Sequence, residues 1–170
     1  MKTTLAAVFS SAAFADSSNY FQHYSWPVEF VIRALKEMGW KGFSVNAAMT
    51  PLLNMGQQLY EPPDVNGWEL GPGWVSTSSM LNRMNFASTL AQNQRFNLSR
   101  DSQPYKKTPD HLLEYALSRY STLGFASNQM AALQDYARAT ATWTGSDAQV
   151  QQKIMGLSHL IVGAGEYQFN

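Results

Sequence analysis

The stretch SWPVEFVIRALKEMG, residues 25–39, is the segment whose period decides the fold. Ser25 can cap a helix, Pro27 suits its first turn, and Gly39 suits its end. Between them Val28, Val31, Ile32, Leu35 and Met38 recur at the spacing of one helical face. Glu29 with Arg33, and Arg33 with Glu37, stand four apart, and such pairs contribute about 0.3 kcal/mol each. These charges read as solvated support for the helix rather than a site.

The same period recurs on both sides. A second stripe through Val45, Ala48, Met49, Leu52 and Leu59 is interrupted at Pro51, so the helix either kinks there or restarts with Thr50 as cap. Residues 76–94 carry Met80, Leu81, Met84, Ala87 and Leu90 on one side. Residues 95–107 lose the period and read as a linker or mobile loop. Thr108-Pro109-Asp110 opens a helix that buries Leu112, Leu113, Ala116, Leu117 and Tyr120. Ser127 opens another, with Met130, Leu133, Tyr136 and Ala137. Ser146 and Gln149 form a capping box before Val150, Ile154, Leu157 and Ile161. No alternating strand pattern and no fixed repeat appears. The expectation is an all-α fold, an irregular bundle of about six helices with one long ordered loop rich in Pro, Gly and Trp.

At the front, MKTTLAAVFSSAAFA (1–15) has a lysine, a short apolar middle and Ala13-Phe14-Ala15 where a signal cleavage site would sit. The apolar run Leu5–Phe9 is shorter than the seven or more residues a signal normally needs. Leu5, Val8, Phe9 and Ala12 instead lie on one face of an amphipathic helix.

Composition narrows the function classes. The 170 residues are 45% hydrophobic, enough for the core of one domain spanning 1–170, and only 14% charged. Twelve basic residues balance twelve acidic ones, without a basic run, so the charge that drives nucleic-acid binding is missing. With no cysteine there is no disulfide, thiolate zinc site or Cys nucleophile. No segment reaches the length of a membrane span. His23, His111 and His159 share no metal-ligand spacing, and neither a nucleophile elbow, a P-loop nor a dinucleotide fingerprint is present. No metal and no cofactor is expected.

The unusual segment is YEPPDVNGWELGPGWV, residues 60–75, which holds three of the seven prolines, three of the eleven glycines and two of the five tryptophans. Pro62-Pro63 stiffens its start, Asp64 and Asn66-Gly67 favour tight turns, and Gly71-Pro72-Gly73 reads as a turn. Trp68 and Trp74 can plug this loop onto the helices or offer flat faces to a ligand.

Read together, Pro27-Val28-Glu29-Phe30, Met55-Gly56-Gln57, the run Pro62 to Trp68, Trp74, Leu81-Asn82-Arg83 and the ending Glu166-Tyr167-Gln168 resemble the bacterial domain-of-unknown-function family 1800. The resemblance implies a mostly helical fold and the C-terminal portion of a longer, often exported protein, in the periplasm or outside the cell. The compartment itself stays open. It also makes residues 1–15 an internal helix rather than a leader, and implies two partners: the missing N-terminal part of the same protein and a sulfatase-like companion. It implies no reaction.

The candidate ligand or partner surface is therefore Pro62, Pro63, Asp64, Asn66, Gly67, Trp68, Trp74 and Arg83. Arg83 could hold a loop carboxylate in a bidentate pair or bind an anion. Two functions follow: a structural or interaction module, or a fragment of a carbohydrate-active or other hydrolytic enzyme using Glu61, Asp64 or Glu69 beside the tryptophans. The enzyme requires two carboxylates facing one cleft about 5 to 10 Å apart. If the chain is part of a longer protein, the Leu5, Val8, Phe9 face should lie partly exposed.

Overall fold

In the computed structural model, which describes residues 1–40, 45–139 and 142–169 with the backbone alone at 45–47, every regular element is helical. Eight α-helices are present among the described residues. They are α1 (Lys2–Phe9), α2 (Pro27–Glu37), α3 (Val45–Asn54), α4 (Thr77–Asn93), α5 (Arg95–Ser102), α6 (Pro109–Arg119), α7 (Ser127–Arg138) and α8 (Asp147–Gly163). Short 3₁₀ turns stand at Ser17–Asn19, Gly71–Trp74, Gln103–Tyr105 and Gly165–Gln168. The fold is all-α, as the periodicity predicts.

Helix α8 is the axis. Ser146 caps it by accepting the Gln149 N–H, and Val150, Ile154, Leu157 and Ile161 are all fully buried. Burial of each such side chain stabilises by about 1.5–3 kcal/mol. Helices α4, α5, α6 and α7 all pack against it. Gly156 lets α7 come close, because a Cβ there would overlap the Tyr136 hydroxyl. Lys153 of α8 donates to the Tyr136 and Ala139 carbonyls at 2.5 and 3.2 Å, closing the C-terminal end of α7.

Three local expectations change. Residues 95–107 are no linker: α5 and a 3₁₀ turn occupy most of them, with Leu98 and Ser102 fully buried. Two inward positions on an otherwise polar helix leave too little apolar signal to show a period. The buried face of α4 is Ser79, Arg83, Ala87, Leu90 and Ala91, while Leu81 and Met84 are exposed, because a buried arginine occupies the core side. Trp26 rather than Ser25 caps α2, with the Glu29 carboxylate accepting the Trp26 N–H at 2.8 Å. Ser25 is drawn away because its N–H donates to the Gln168 carbonyl at 2.7 Å.

Helix α3 runs through Pro51 to Asn54, and buries Ala48 and Leu52; the Val45 side chain lies outside the described residues. Gly39, at φ +81°, turns the chain out of α2 against the Arg119 guanidinium, which a Cβ would meet at 2.8 Å. No side chain of α1 is buried: Leu5 and Val8 are 48% exposed and Phe9 59%. Phe9 meets the nearby Phe14 ring edge-on at 4.9 Å.

Candidate interaction site

The segments that looked like a signature converge in space, and most of their polar groups bond to one another. Arg83 is fully buried on α4. Its Nη1 donates to Gln168 Oε1 and its Nη2 to the Ser25 carbonyl, both at 2.8 Å, and its Nε to Ser79 Oγ at 3.4 Å. The guanidinium lies 4.9 Å from the Phe30 ring centre. Burial, with the Arg33 charge adding to it, pushes Arg83 down to about 10, so it is charged at neutral pH. Its partners are neutral acceptors. Of the two possibilities for Arg83, a bidentate pair with a loop carboxylate or an anion, the first is not what its hydrogen bonds form: they go to a hydroxyl, an amide and a carbonyl.

The same arginine reaches the loop indirectly. Ser79 Oγ, which accepts from Arg83, donates to the Trp74 carbonyl at 2.8 Å. Gln57, also buried, accepts the Val28 N–H through Oε1 at 2.9 Å, satisfying one of the unpaired donors at the start of α2. Asn82 donates to the Asn54 carbonyl at 2.6 Å, where α3 ends. On the far side Arg33 donates to the carbonyls of Tyr167 and Phe169. The Tyr167 hydroxyl donates to Glu37 Oε2 at 2.6 Å, and burial together with that carboxylate raises the tyrosine above its ordinary range. The charges of α2 therefore hold the C-terminal tail rather than merely decorating a helix face. Sequence spacing carries no sign of this, because the partners lie at opposite ends of the chain.

Loop 60–76 follows the path its turn residues suggest. Asp64 Oδ1 accepts the Asn66 N–H at 2.7 Å, and Gly67 at φ +92° closes that turn. Pro62, Pro63, Asp64 and Asn66 are exposed, and Val65 at the tip is fully so. Trp74 is 6% exposed and its ring centre lies 6.2 Å from that of Trp26; Trp68 is half-buried. The indole N–H groups of Trp68 and Trp74 are buried without an acceptor.

Between loop and bundle lies a cavity of about 260 Å³, bordered by Pro63, Trp68, Glu69 and Trp74 from the loop. Met55, Gly56 and Ser79 complete it from the helix side, and none of these three was legible as lining. Glu69 sits over Gly73, where a Cβ would overlap its carboxylate. Of the eight candidate residues, Pro63, Trp68 and Trp74 line this cavity. Asp64, Asn66 and Gly67 shape the turn beside it, Pro62 leads into it, and Arg83 stands behind it.

The remaining candidates stay apart. Glu61 accepts from Gln58 at 2.5 Å, Asp64 serves its own turn, and of the three loop carboxylates only Glu69 borders the cavity. His23 lies 3.1 Å from Glu29, and His159 borders a separate groove of about 350 Å³ between α4 and α8. Among the described residues no cluster of three His, Asp or Glu could hold a metal ion, and no helix is long and apolar enough to cross a membrane.

No curated protein and no solved structure matches this chain. A family model does, over residues 1–169, nearly the whole length on which the signature segments meet, and the chain accordingly belongs to the family described as protein of unknown function, DUF1800.

Proposed function

We propose that this chain is a structural and interaction module of a larger exported bacterial protein, with loop 60–76 as its partner-facing surface. One observation carries the reading. Gln57, Asp64, Arg83 and Gln168 are all bonded within the chain, so the signature's polar side chains mainly build architecture. Around the cavity Trp68 and Trp74 have unpaired indole N–H groups, a feature they share with Trp26 beside Trp74, and Glu69 makes no hydrogen bond or ion pair among the described residues. The half-exposed face of α1 supports a second contact, in which the N-terminal part of the same protein covers Leu5, Val8 and Phe9. A sulfatase-like companion is the outside partner that the family resemblance suggests.

A hydrolytic fragment is the weaker reading, because it needs two carboxylates at one cleft and Glu69 stands there without Glu61 or Asp64. Urea unfolding of Trp68→Ala tests the proposal. The loss expected is about 1 kcal/mol, as for a half-buried surface ring. A loss of about 3 kcal/mol or more, the range of a core aromatic truncation, would make Trp68 a structural plug and sink the reading.

A further inference from the structure

We propose that the cavity beneath Trp68 and Trp74 receives a lysine or arginine side chain carried by a partner polypeptide; this rests on loop 60–76 being the partner-facing surface. Charge points to the occupant. Residues 42–82 contain no Lys, Arg or His, yet contain Glu61, Asp64 and Glu69, in a chain whose overall charge is zero. The loop itself carries three acids and no base, in excess of the single buried charge of Arg83 behind it. Arg83, the first cation downstream, is fully buried and turned to Ser25, Ser79 and Gln168, so it does not neutralise the loop by pairing.

Geometry agrees with charge. Glu69 borders the cavity together with the Trp68 and Trp74 rings, and Gly73 leaves room for its carboxylate. Aromatic side chains beside a carboxylate suit a cation, which is attracted to the ring quadrupole and to the negative charge at once. The volume of about 260 Å³ fits the end of one side chain, being below the size at which drug-sized pockets begin. A polypeptide also brings backbone carbonyls, acceptors for the unbonded indole N–H groups of Trp68 and Trp74 as the rings adjust. A free ammonium ion lacks those acceptors, and a neutral saccharide does not answer the charge.

The five indole N–H resonances of the whole chain, assigned by Trp→Phe variants, give the readout. The probes are acetyl-glycyl-arginyl-glycine amide, its norleucyl counterpart and cellotetraose. Saturable shifts of the Trp68 and Trp74 resonances are expected with the arginyl peptide. Binding should be about fivefold weaker for Glu69→Gln, a partly exposed ion pair, and weaker again in 0.5 M salt. Glu69→Gln should keep its urea midpoint, since Glu69 makes no hydrogen bond or ion pair among the described residues. Equal response to the norleucyl peptide, a response to cellotetraose alone, or no response to any probe would overturn the cationic occupant. Those failures leave the loop reading standing if Trp68→Ala remains stable; collapse of Trp68→Ala removes the loop reading itself.

Discussion

Arg83 and Trp68 belong to the same signature, and the chain uses them in opposite ways. Arg83 is fully buried, and each of its three nitrogens donates to a hydroxyl, amide or carbonyl of the same chain. Trp68 is half-buried, borders a cavity, and has an indole N–H without an acceptor. A buried cation is costly unless its nitrogens find acceptors, so a bond from each of the three nitrogens to the same chain marks a structural role. A half-buried ring whose buried N–H has no acceptor adds nothing to the fold through that group and leaves something for a partner to satisfy. The difference separates the part of the signature that makes the fold from the part that faces outward.

The sharpest way to break this contrast is Arg83→Ala. It strands the Ser25 carbonyl and Gln168 Oε1 in the interior and removes the cation over Phe30, so a loss of about 3–5 kcal/mol is expected in urea unfolding. The tail should also loosen, with faster amide exchange at Tyr167 and Phe169. A loss under about 1 kcal/mol would mean that Arg83 is not the lock. Gln57→Ala is the next step down. It leaves the Val28 N–H without its acceptor in a part-buried position, and about 1–2 kcal/mol should go, by the same measurement.

These expectations also show what the sequence could tell. The starts of helices α6 and α8 were legible, because capping residues, a proline or an acid at the first turn and an apolar stripe agree: Thr108 and Ser146 accept the His111 and Gln149 N–H groups, although the Gln149 side chain bonds Thr142 and Thr144 and leaves the capping box half formed. Helix α4 was legible as a helix and only partly in its orientation, since Ala87 and Leu90 face inward as expected while Leu81 and Met84 do not. Periodicity assumes that apolar residues face inward, and Arg83 inverts that assumption by bringing its own acceptors from Ser25, Ser79 and Gln168. Helix α5 was invisible for want of apolar residues. At the site, Asp64 was readable as a turn former and Trp68 and Trp74 as a pair. The cavity was not, since a third of its lining, Met55, Gly56 and Ser79, comes from outside the loop and is brought there by tertiary packing.

Trp74 tests the outward half of the comparison more finely. It is nearly as buried as a core residue, 6% exposed, but its N–H is unpaired. Trp74→Phe therefore removes no hydrogen bond and keeps most of the apolar contact with Trp26. The thermal midpoint should move by less than the equivalent of about 1 kcal/mol, in contrast to the hydrogen-bonded residues around Arg83. A loss of about 3 kcal/mol would place Trp74 with the lock and not with the loop.

The smallest effect is expected at α1. Leu5→Ser with Val8→Ser replaces two apolar side chains that are each 48% exposed and belong to a helix with no buried residue. In this chain the double change should leave stability within about 0.5 kcal/mol, since it removes little contact. Solubility should rise at the same time, because an exposed apolar stripe favours self-association. If α1 is instead covered by another part of a longer protein, the same pair of substitutions made in that protein should cost about 1.5–3 kcal/mol per side chain removed from contact. Equal tolerance in both would show that the α1 face has no intramolecular cover. A large loss in the short chain would show that α1 docks on this bundle after all.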